Sequence, residues 1–132
     1  MIKSFESVYK ELEYLFIQKL PEYIDKINKE YNDGIILKPF VNTKLTEECI
    51  KIPCFKFELL ETEYSEKDRV IENTAYNFSL RIKTDNQNKM VDFWRYTEAI
   101  SYLVEENGKK NNTIEFRIDK ITNDKIIFRI VL

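Results

Sequence analysis

Between Thr74 and Thr84 the chain alternates with a period of two. Tyr76, Phe78, Leu80 and Ile82 fall on one side, Asn77, Ser79, Arg81 and Lys83 on the other. Successive side chains of a strand point to opposite faces of its sheet, so this stretch demands a layer that is dry on one face and wet on the other. Phe55, Phe57 and Leu59 alternate in the same way, out of phase with Ile50, Ile52 and Cys54, and the change of phase predicts a bulge or a strand start at Pro53. Near the end, Ile114, Phe116 and Ile118 alternate with Glu115, Arg117 and Asp119. Beyond a turn at Asn123-Asp124, Ile126, Phe128 and Ile130 continue the pattern. The prediction is a long hairpin over 50–84, with the charged run Glu61–Asn73 as its protruding tip, and a closing hairpin over 113–132. Ile35 to Phe40 reads as a further short strand or edge segment, because Pro39 cannot donate to a ladder.

Two segments carry a helical period instead. Phe5, Val8, Tyr9, Leu12, Leu15, Phe16 and Leu20 recur at steps of three and four, and Ile24, Ile27 and Tyr31 continue the stripe past Pro21. The reading is an N-terminal helical arm over 1–31, with Ser4 as N-cap, a kink or a division at Pro21, and a stop at Asn32-Asp33-Gly34. The second helix spans 88–107, after a turn at Asp85–Asn88 and before Asn107-Gly108. Met90, Phe93, Trp94, Thr97, Ile100, Leu103 and Val104 form its expected buried face, while Tyr96 and Tyr102 fall outside it. The order is αα-β-β-β-α-β-β. This is an α+β domain with a mostly antiparallel sheet and helices packed on one face.

With 132 residues, 43% of them hydrophobic and 14% aromatic, the chain is long and apolar enough for one domain with a core of its own. Function is constrained chiefly by what is missing. There is no histidine, which removes Ser-His-Asp and Cys-His catalysis and every zinc site that needs an imidazole. The only glycines, Gly34 and Gly108, cannot write a dinucleotide fingerprint or a phosphate loop. A net charge of −2 lacks the basic footprint of a nucleic-acid binder.

Cys49 and Cys54 stand five apart. On one extended strand that odd spacing turns them to opposite faces, so free thiols in a reducing compartment are expected. The opening Met-Ile-Lys-Ser-Phe-Glu-Ser has no secretory pattern and no apolar run reaches 18 residues. These features predict a soluble protein kept in a cytoplasm or released by lysis.

Candidate chemical groups are few. Glu58, Glu61, Glu105 and Glu106 are not in any motif that fixes a catalytic separation, and solvated charge is the simpler reading. Asp85, Asn86 and Asn88 lack the glycine and the twelfth-position Glu of a calcium loop, which leaves helix capping. Trp94-Arg95-Tyr96 suggests base stacking beside a cation, but Trp94 lies on the apolar stripe and is assigned to the core. No catalytic residue, metal site or cofactor is predicted.

Pro53-Cys54-Phe55-Lys56-Phe57-Glu58-Leu59-Leu60, the charged stretch after it, and Thr74-Ala75-Tyr76-Asn77-Phe78-Ser79-Leu80-Arg81-Ile82 together carry a family likeness. With the following helix and closing hairpin, they resemble the tail terminator, or tail completion, proteins of Firmicute prophages and phage-tail-like particles. The resemblance covers roughly residues 53–132. The first helix matches in pattern, and the chain departs from the family in a longer N-terminal arm and in the segment from Asn32 to Lys51.

The resemblance implies a non-enzymatic structural role. Copies of the chain, six in the family, would close into a ring that caps the head-proximal end of the tail tube, ends polymerisation and offers a docking face to a connector or collar. Implied partners are the chain itself, tube and sheath proteins, and a head connector or collar, with no nucleic-acid sequence recognition and no membrane. The implied location is the bacterial host cytoplasm during assembly, then the virion or particle. Contacts are assigned on this basis to Glu63, Glu66, Lys67, Asp68, Arg69 and Glu72 on the arm, and to Arg117 and Arg129 on the terminal hairpin. The competing reading is a small adaptor or immunity-type protein-binding module. A carboxylate- or tyrosine-based enzyme comes third.

Overall fold

The alternating strands assemble into one antiparallel sheet of four, in the order β1-β2-β4-β3. In this computed structural model, which describes residues 5–67, 70–84, 89–107 and 115–131 (backbone alone for 65–67 and 70–73), β1 is Cys54–Lys67 and β2 is Val70–Lys83. The closing hairpin is β3, Glu115–Ile121, and β4, Lys125–Val131. Phe55, Phe78, Leu80, Ile82, Ile126, Phe128 and Ile130 put their side chains on one face and are nearly inaccessible. Helices pack on that face only, as the one-sided pattern requires.

The N-terminal helix runs through Pro21 without breaking. It consists of α1, Phe5–Glu13, a π-helical stretch, Tyr14–Lys19, and α2, Leu20–Tyr31. Proline cannot donate the backbone bond of an α-helix interior. Here the turn before it widens, with the Leu20 N–H reaching back to the Leu15 carbonyl, and Pro21 stands in the first turn of α2. Val8, Leu12, Leu15, Phe16, Leu20, Ile24 and Ile27 are buried in the predicted stripe, and Phe16 packs on Phe55, Phe116 and Phe128. Tyr31, expected in that stripe, is exposed, although Arg95 lies over its ring. Asn32 ends the helix in the left-handed region at φ 41°, and Gly34 follows at φ 88°.

The second long helix, α3, Lys89–Asn107, packs antiparallel to α2, because Tyr23 bonds Glu106, Tyr31 bonds Glu98 and Asp33 pairs with Arg95. Phe93, Thr97, Ile100, Leu103 and Val104 are buried as predicted. Met90 and Trp94 are not, at 76% and 52% exposure, while Tyr96, expected outside, is buried and Tyr102 is half-buried. The buried arc is rotated toward Asp92, Tyr96 and Ala99 because a second layer, the irregular segment 33–53, covers that side. Tyr96 stacks on Phe40 at 4.4 Å and its hydroxyl donates to the Lys38 carbonyl. Ser4, Asp85 to Asn88, Gly108 and Thr113 lie outside the described residues.

Segment 35–40 is an edge segment without strand pairing, so among the described residues the sheet has four strands where the sequence suggests five. Two asparagine side chains supply what a neighbouring strand would. Asn28 donates to the Leu37 carbonyl and accepts from its N–H, at 2.9 and 2.8 Å. Asn42 does the same for Phe55, the second residue of β1, at 2.9 and 3.0 Å. The same region corrects the expectation of free thiols, since Cys49 and Cys54 form a disulfide. Cys49 precedes the strand, in a stretch where the Ile50 N–H bonds the Glu48 carbonyl and turns the chain back. The strand-face argument therefore did not apply, and the Cα atoms lie 5.6 Å apart.

Candidate interaction surface

The charged run after Glu61 continues the β1–β2 ladder instead of forming a loop. Pairing proceeds through Tyr64↔Thr74 and Glu66↔Ile71 to Lys67↔Val70. Extra residues are accommodated at two register shifts, Leu59/Glu61 and Ser65/Glu66. Pairing of β2 with β4 ends at Ala75↔Val131. Beyond that point the hairpin continues as a two-stranded ribbon of about four residue pairs, roughly 13 Å at about 3.3 Å per residue. Alternating charge and β-branched or aromatic residues favour the extended form, and a strand this polar needs no second layer. Leu59 and Leu60 on the outer strand are each 43% exposed, and Tyr64 on the ribbon is 64% exposed.

The sheet face opposite the helices is polar, in rows set by the register. Lys56, Arg81 and Lys125 form one row, and Glu61, Asn77, Arg129 and Arg117 another. At the base of the ribbon the Arg129 guanidinium pairs with the Glu63 carboxylate and lies 3.3 Å from the Asn77 side-chain oxygen. Asn77 in turn approaches the Glu61 carbonyl at 3.4 Å. The Arg129 hydrogen bond, and then that of Asn77, hold the Glu63 carboxyl below its ordinary range.

The assigned contact residues thus divide into groups. Glu63 and Arg129 are brought together and neutralise each other within one chain. Arg117 is opposite Arg129 in register and makes its own loose pair with Asp119, at 3.9 Å. The backbones of Glu66, Lys67 and Glu72 lie in the ribbon, while Asp68 and Arg69 lie outside the described residues. Asn77 is not among the contact residues the resemblance assigns, although its place on the polar side of the clearest strand, two residues before Ser79, marks it as facing the same surface.

At the other end of the sheet, α3 begins beside a groove of about 680 Å³, lined by Ile52, Ile82, Phe93, Met90 and Trp94 together with Lys83, Lys89 and Asp124. A smaller cleft of about 290 Å³ adjoins it through Ile52 and Thr84 and contains Asp92 and Tyr96. Burial, and then the Asp92 charge, push the Tyr96 hydroxyl well above its ordinary range. Among the described residues no three Cys, Asp or Glu side chains converge to hold a metal ion. No described helix is long and apolar enough to cross a membrane. No protein-family model matches the chain, and no curated protein or solved structure matches it either.

Proposed function

We propose that this chain is a tail-terminator-type structural protein, acting as a ring of identical copies, six by the resemblance, that caps a tail tube and presents a docking face to a connector or collar. The observation that carries the reading is the β1–β2 ribbon. A two-stranded arm rich in charged residues, extending past its own sheet with Tyr64 exposed on it, offers surface to another copy. Ring closure needs two different complementary patches on each subunit, because heterologous contacts close only by rotation. The ribbon and the open polar sheet face supply two such patches.

Purified protein mixed with assembled tail tubes should bind at one tube end, seen by negative-stain microscopy, and light scattering should show a defined oligomer at high concentration. A monomer at every concentration that also ignores tubes would sink the proposal. Neighbouring genes for tube and sheath proteins would support it at little cost.

A further inference from the structure

Asp92 lies in the first turn of α3 and is 5% exposed, yet its carboxylate accepts no hydrogen bond and pairs with no cation among the described residues, and its Oδ1 is a buried oxygen without a partner. The groups that might have satisfied it are engaged elsewhere. Arg95, three residues on, is committed to Asp33 at 2.5 and 3.0 Å, and the Tyr96 hydroxyl donates to the Lys38 carbonyl. Lys38 and Lys89 are exposed and make no ion pair with it. The helix dipole favours an acid here but donates no hydrogen bond to the carboxylate. A buried carboxylate left unpaired costs far more than one that meets a cation or an N–H donor.

Asp92 is a lining residue of the smaller cleft, which shares Ile52 and Thr84 with the larger groove. Met90, Trp94 and Ile52 are 76%, 52% and 43% exposed, and Ile36, which also lines the cleft, is 75% exposed. A tryptophan left half-open beside an exposed methionine is the composition of a recognition surface, and clustered exposed apolar residues mark such sites. Lys38, Lys83 and Lys89 also border these two depressions but extend into solvent, so the acid at the floor, flanked by Ile52, Met90 and Trp94, is complementary to a positive group carried next to large apolar side chains.

We propose that this end of the molecule is a docking site for a partner-protein segment in which a lysine or arginine is flanked by large apolar residues. The cation seats on Asp92, and an apolar neighbour covers Met90, Trp94 and Ile52. The site is at the opposite end of the sheet from the ribbon and does not depend on the ring proposal.

Trp94 is the only tryptophan, so its emission reports on this groove alone. Titration of the whole protein with acetyl-Leu-Lys-Leu-amide should give a saturable change in Trp94 emission. The Gln analogue, acetyl-Leu-Gln-Leu-amide, and the Asp92→Asn protein should each bind at least about tenfold more weakly. Met90→Lys, at an exposed position, removes apolar contact and repels the peptide cation, so it should also weaken binding of the lysine peptide while leaving the thermal transition unchanged, which keeps the test decisive if Asp92→Asn folds poorly. No response up to about 5 mM, equal affinity for the Lys and Gln peptides, or preference for acetyl-Leu-Glu-Leu-amide through Lys38 and Lys89 overturns the proposal.

Discussion

Asn42 carries more of this fold than its size suggests. Its side-chain amide occupies both backbone groups of Phe55 at the start of β1, where no strand neighbour exists on the outer edge. Removing it leaves a buried N–H and a buried carbonyl unpaired, so Asn42→Ala should lower stability by on the order of 2–4 kcal/mol in urea denaturation. Asn42→Asp retains the acceptor for the Phe55 N–H but turns a buried carboxylate oxygen on the Phe55 carbonyl, and should cost at least as much. Asp33 acts at longer range, tying the end of α2 to α3. The Arg95 hydrogen bond is the largest influence on its carboxyl and lowers it from 3.8 to about 2. A folded value below the unfolded one means that this stabilisation is present above about pH 4 and is lost as pH falls toward 2. Thermal melts of the wild type should therefore drop over that window, and Asp33→Asn should show a shallower drop from a lower starting point. The cysteines give a third test. Without reductant, alkylation should leave the intact mass unchanged, and after reduction both Cys49 and Cys54 should be modified.

Among the elements, the β1–β2 ribbon is the one most separable from the rest. Its outer part extends past the pairing of β2 with β4, so reversing several charges between Glu61 and Glu72 should leave the far-ultraviolet spectrum and cooperative unfolding intact while impairing assembly. Unimpaired assembly would remove the ribbon from the interface. Glu63 needs separate treatment because Arg129 is its partner within the chain. Glu63→Arg alone places two cations together, and adding Arg129→Glu should restore most of what was lost, measurable as a double-mutant cycle. The period of two found these strands, including the turn before Lys125, because alternation is a local property. It did not distinguish a charged loop from a charged ladder between Glu61 and Asn73, since an exposed ribbon has no dry face to enforce a pattern. Pro21 reads as an interruption in the sequence, but the π-helical stretch that absorbs it does not, because it depends on backbone geometry one turn earlier.

At the level of the whole molecule, one face of the sheet is closed by helices and the other is open, with an arm at one end and a groove at the other. That asymmetry suits a subunit that meets two different neighbours, and size-exclusion chromatography with light scattering tests it directly. The one-sided sheet, the buried stripe from Val8 to Ile27 and the α+β layering were set by the sequence alone, because periodicity states which side of an element must leave water. The disulfide, the exposed Met90 and Trp94, the buried Tyr96 and the Glu63–Arg129 pair were decided only by tertiary structure. Each depends on where the irregular segment 33–53 or a distant strand comes to lie, and a chain without strong local pattern is placed by the partners it finds rather than by its own period. The unpartnered carboxylate of Asp92 belongs to the same class: its residue type was visible from the start, and its isolation exists only once α3 is packed.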